Sequence, residues 1–132
     1  MTDLNFLAVL VAAVAGFVVS GVYYGMFASQ LAQLHSAYAG AEAQAWPSVG
    51  TIVVEILRNL VVAAAVSIIS TRLGISGGPA LLLAAGLWLA FPAVLFVGSI
   101  IHENYSRRLA AIHAGDWLLK IIVITLIVSW WR

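Results

Sequence analysis

The chain has 132 residues, 64% of them apolar types and only 8% charged, with a formal net charge of +1 and a mean hydropathy of +1.08. A soluble domain carries about a quarter charged residues, so this composition excludes a soluble enzyme and a disordered chain, and the small net charge leaves no basic footprint for nucleic acid. The lack of cysteine removes disulfides, thiolate metal sites and a cysteine nucleophile.

An α-helix needs about 20 apolar residues to cross about 30 Å of hydrocarbon. Four stretches meet that length: Leu4–Ala28, Val49–Thr71, Pro79–Ile101 and His113–Trp131. Unbroken apolar runs of this kind read as helices, not as the short alternating strands of an outer-membrane barrel. The predicted fold class is all-α, an integral membrane four-transmembrane-helix bundle forming one domain over residues 1–132. A bacterial inner membrane is the expected setting.

Span one follows only Asp3 among charged residues, and its apolar core exceeds that of a cleaved leader, so it reads as retained. Within it, Gly21-Val-Tyr-Tyr-Gly25, with Gly16 before it, marks either a helix–helix seam or the ordinary use of glycine in membrane helices. Residues Ser29–Ser48 are polar, with Leu31, Leu34, Tyr38, Ala41 and Ala45 at near-helical spacing. They read as a short interfacial helix anchored by Trp46, or as an extension of span one. Gly77-Gly78-Pro79 predicts a tight hairpin before span three, and Pro92 predicts a kink in its middle. Residues 102–112 are the most polar connection, and Trp130-Trp131-Arg132 forms an interfacial anchor. Four spans place both termini on one side with Arg72. Counting Arg58 and Lys120 with the opposite side puts the 102–112 loop in the cytoplasm.

The chain holds six Lys and Arg and five Asp and Glu, so their positions are informative. A charge at the bilayer centre costs at least ~2.5–3.5 kcal/mol unless it is paired or wetted. Glu55, Arg58 and Asn59 share one face of span two, while His113, Asp116 and Lys120 share one face of span four with Trp117. Taking span four from His113, a rise of 1.5 Å per residue puts Glu55 about 9 Å and Lys120 about 10.5 Å past the starts of their spans. A Glu55–Lys120 ion pair is therefore predicted, with Arg58 leaning back toward Glu55 or Asp116. The wider expectation is one polar cavity lined by Glu55, Arg58, His113, Asp116 and Lys120. Tyr23, Tyr24, His102 and Glu103 would form its mouth toward the 102–112 loop.

These residues also carry a family resemblance. Leu109-Ala-Ala-Ile-His-Ala-Gly-Asp-Trp-Leu-Leu-Lys120 resembles the final-helix motif of the DUF1761 family of small four-helix membrane proteins. Val54-Glu55-Ile-Leu-Arg58 and Gly86-Leu-Trp-Leu-Ala-Phe-Pro92 are similar to its second and third spans. Asn5-Phe-Leu-Ala-Val-Leu-Val-Ala-Ala, with Val-Tyr-Tyr-Gly25 further on, is similar to its first. The chain departs in its first loop, which lacks the basic residues that members often carry there. The resemblance implies the span count and no activity, since the family's name records that its role is unknown.

Three function classes follow. The first is a non-enzymatic structural or accessory membrane subunit whose charges fix helix register. The second is an oligomeric transporter or channel for a proton or small solute using the same cluster, since an intramembrane ionisable group is a functional-site hypothesis by default. The third, an enzyme, has little to stand on. Glu55, His102, Glu103, His113 and Asp116 are nitrogen and oxygen ligand types, but the chain has no HExxH, no Gly-rich phosphate loop and no G-x-S-x-G elbow. No metal or cofactor is predicted. The expected partners are the lipid bilayer and either further copies of the chain or another membrane protein.

Overall fold

A computed structural model of the chain describes residues 5–34 and 48–131. The elements are α1 (Phe6–Met26), α2 (Ala28–Leu34), α3 (Val49–Leu73), α4 (Gly77–Trp88), a π-helical turn (Leu89–Ala93), α5 (Val94–Glu103) and α6 (Arg107–Trp130). No strand occurs among the described residues. Four helical rods are long and apolar enough to cross a membrane: α1, α3, the continuous rod Gly77–Glu103, and α6. The fold is all-α with four candidate spans, and the protein is a multi-pass membrane protein.

Local chemistry sets the helix limits. The side chains of Asn5, Ser48 and Ser106 accept hydrogen bonds from the amides of Ala8, Thr51 and Leu109, capping α1, α3 and α6. The Ser106 cap corrects the predicted start of span four. Arg107 and Arg108, taken as loop residues, are the first turn of α6, which begins six residues before His113. Gly74 ends α3 in the left-handed region at φ 66°, and its amide and that of Ile75 bond back to Thr71 and Ser70. Pro79 lies in the first turn of α4, where its missing N–H leaves no bond unmade. Pro92 lies inside the π-helical turn, a local widening that takes up the missing donor and the bulk of the proline ring. Of the expected interfacial helix, Ala28–Leu34 is helical, Ser48 caps α3, and residues 35–47, Trp46 among them, lie outside the described ones.

The rods do not share the core equally. Helix α6 packs against α1, α3 and α4, and α1 also packs on α3, whereas the α4–α5 rod is held chiefly by α6. Val9, Ala12, Ala63, Val66, Ile124 and Val128 form the main apolar core between α1, α3 and α6. In the α4–α5 rod only Ala80 and Ala84 are buried, so most of its surface faces outward. The Asn5 side-chain amide donates to the Trp131 carbonyl at 3.3 Å, so α1 begins where α6 ends. The two helices are antiparallel, and Asn5 lies beside Trp131.

The seam of α1 is a run of small residues at four-residue spacing: Ala8, Ala12, Gly16 and Ser20, all buried. A methyl group on Gly16 would lie 3.2 Å from Asn59 Nδ2, from Lys120 Cγ and from Ile124 Cδ1, so three helices meet there. Gly21 and Gly25 are exposed and have nothing near enough to touch an added methyl group. The GxxxG therefore points away from the intrachain seam, which lies on the face holding Gly16.

Candidate functional site

Lys120 stands at the centre of the polar interior. Its α6 position is about 20 Å from the Arg107 end, at 1.5 Å per residue. Lys120 meets Glu55 because helical side chains lean toward their own N-terminus and the long lysine stem carries the ammonium back beside Asp116, one turn earlier, and toward the α3 carboxylate.

The ionic groups form a chain of alternating sign. Arg58 Nη1 donates to Glu55 Oε2 at 2.6 Å. Glu55 Oε1 lies 4.0 Å from Lys120 Nζ, at the edge of ion-pair distance, and Lys120 Nζ lies 3.3 Å from Asp116 Oδ2. Ser20 Oγ of α1 donates to the other Asp116 oxygen at 2.6 Å. The predicted α3–α6 pairing is thus present, but the nearer partner of Lys120 is Asp116 on its own helix. Two acids and two bases make up the chain, so their formal charges cancel. The Trp117 indole lines the same cluster, with Lys120 Nζ 4.2 Å and Arg58 Cζ 5.5 Å from its ring centroid.

Burial divides this chain. The side chains of Asp116 and Lys120 are 2% and 3% exposed, against 29% for Glu55 and 50% for Arg58. Four of the five residues expected to line one open cavity are therefore split between a closed interior pair and a more exposed pair, and the fifth, His113, lies apart from both. Asn59 is fully buried beside them, its amide donating to the Ala13 carbonyl at 3.1 Å while its Oδ1 has no partner.

His113 lies one helical turn above Asp116, half-buried, in a different environment. Its Nδ1 is 2.6 Å from the Tyr24 hydroxyl, and its ring stacks on Phe96 at 5.9 Å with Tyr105 at 6.5 Å. Tyr23 packs edge-on against Tyr24 and at a 46° tilt against Phe27, and its hydroxyl abuts Gly115. Tyr24 and His113 are thus a bonded aromatic tier joining α1, α5 and α6, and Tyr24 is not an open rim. Burial pushes the phenol of Tyr105, in the turn before α6, above its ordinary pKa. His102 and Glu103 are exposed at the end of α5 and join neither tier. Among the described residues no three His, Asp or Glu side chains gather as a metal site requires.

The DUF1761 family model, described as a protein of unknown function, matches residues 7–129. The chain belongs to the DUF1761 family. No curated protein and no solved structure matches it. The resemblance read from the motifs of all four spans is thereby shown across nearly the whole chain. In this DUF1761 protein, the Glu55-x-x-Arg58 and Asp116–Lys120 motifs meet in one ionic chain. Three contributors lay outside the sequence reading: Ser20, the Ala13 carbonyl, and Trp88, whose indole N–H donates to the Ala114 carbonyl at 2.8 Å and ties α4 to α6. Ser20 was within reach, as the last member of the four-spaced small stripe. A backbone carbonyl partner leaves no mark in a sequence.

Proposed function

We propose that this protein is a non-enzymatic structural or accessory membrane subunit, associating with its own copies or with another membrane protein. The observation that carries this reading is the closed Asp116–Lys120 pair, held by Ser20 from α1 and approached by Glu55 from α3. An ionic chain of two acids and two bases on α3 and α6, tied to α1 through Ser20, specifies the register of three helices. The outward apolar surface of the α4–α5 rod leaves ample area for a membrane partner. Helical spans, unlike a barrel, fit an inner membrane.

A second reading, an oligomeric conduit for a proton or small solute, draws on one observation: the unpartnered Asn59 Oδ1 beside the lysine stem is an acceptor that water or a solute could fill. Thiol labelling separates the two. Because the chain has no cysteine, Ser20→Cys places a near-isosteric thiol against Asp116. An impermeant reagent should leave it unmodified in folded protein while labelling Glu55→Cys from one side. Ready labelling at position 20, together with proton uptake by proteoliposomes that Asp116→Asn abolishes, would overturn the structural reading in favour of the conduit.

A further inference from the structure

At the end of the bundle where α1 finishes and α6 begins, a groove of about 290 Å³ runs between the two helices and α2. It is lined by Tyr23, Phe27, Gln30, Arg108, Ala111 and Ile112. Ile112 is buried while Ala111, Gln30 and Arg108 are exposed, so the groove grades from apolar depth to polar edge. Arg107 and Arg108 are both exposed, and neither makes an ion pair among the described residues. Glu103 is the one acid near them in the 102–108 segment.

We propose that this groove binds an anionic phospholipid. The phosphate would sit on Arg108 with Gln30 as a second donor, and the upper part of an acyl chain would lie against Tyr23, Phe27 and Ile112. Position and chemistry agree. The groove lies at a helix end, where headgroup meets hydrocarbon, and a guanidinium over an apolar floor matches a phosphate over an acyl chain. Arginine offers two parallel donors to phosphate oxygens, and tyrosine suits a boundary where one side is apolar and the other wet. Net charge selects among lipids: an excess of cations favours a headgroup that is negative overall over a zwitterionic one. A second groove, at the opposite end, is lined by Val11, Leu126, Ile127, Trp130 and Trp131, none of which is charged.

The test is native mass spectrometry of the full chain in detergent, titrated separately with phosphatidylglycerol and phosphatidylcholine. Phosphatidylglycerol should be retained about tenfold more strongly, because both lipids offer the phosphate and only phosphatidylcholine brings a choline cation up against the two arginines. Arg108→Gln should reduce its retention to the phosphatidylcholine level. Ala111→Trp, which fills the groove from an exposed position and keeps the charge, should do the same. Arg72→Gln, at the other end of the bundle, should change nothing. Equal retention of the two lipids would overturn the proposal. So would full retention in Ala111→Trp, which would reduce the effect to surface charge, or displacement of the lipid by inorganic phosphate alone, which would show that no acyl chain is recognised.

Discussion

The two acid–base pairs of this protein have nearly the same composition and opposite circumstances. On α6, Asp116 and Lys120 are shut in among three helices; on α3, Glu55 and Arg58 lie at shorter distance from one another yet are substantially exposed. The shorter bond is the less consequential one. An outer pair that water or headgroups reach contributes ~0–1 kcal/mol, whereas breaking a buried pair strands a charge that nothing else solvates. The difference comes from where each helix stands, since α6 is covered on several sides and α3 chiefly by α1 and α6.

The largest expected effect comes from breaking the inner pair. Lys120→Met should cost about 3–5 kcal/mol in detergent-to-SDS unfolding, because Asp116 stays buried with only Ser20 beside it. Replacing both, Asp116→Leu with Lys120→Met, should restore most of that stability. If the single replacement unfolds at the wild-type midpoint, the inner pair is solvated and the contrast between the pairs disappears.

The next effect sharpens the boundary between inside and outside on α1. Gly16→Leu should destabilise by about 1–3 kcal/mol through overpacking against Asn59, Lys120 and Ile124. Gly21→Leu, five residues along and open, should stay within about 0.5 kcal/mol of wild type. Equal losses at the two positions would put the intrachain seam elsewhere. A smaller change is expected at Asn59→Ala, about 0.5–1.5 kcal/mol for the lost bond to the Ala13 carbonyl, read from the same unfolding curves.

The smallest belongs to the outer pair. Arg58→Gln should shift stability in detergent by no more than about 1 kcal/mol, because the long Arg58 stem lets water or detergent headgroups reach the outer pair. A loss as large as that of Lys120→Met would mean that the outer pair is shut off from water, and it would then count as an inner one.

Much of this arrangement was legible in the residues themselves. Four apolar runs announce four spans because length against bilayer thickness is a property of each segment alone. The polar faces of spans two and four were equally plain, since helical spacing puts Glu55 with Arg58 and Asp116 with Lys120 without reference to any neighbour. The start of α6 was misplaced because two arginines look like loop, although the Ser106 cap was there to be read.

What only the tertiary structure decided is which faces are covered. In a soluble protein the apolar stripe of a helix points inward, but in a membrane the lipid is as apolar as the protein interior. Hydrophobic periodicity therefore could not say that α6 is central, that the α4–α5 rod is peripheral, or that the α1 seam runs through Gly16 and not through Gly21 and Gly25. Nor could it say that the lysine would lean a helical turn or more to reach Glu55, or that Tyr24 would close on His113 and not stand at an open mouth. Span number and polar faces follow from the chain as a line of residues, whereas burial, which makes one ion pair structural and leaves the other nearly idle, exists only once the helices are packed.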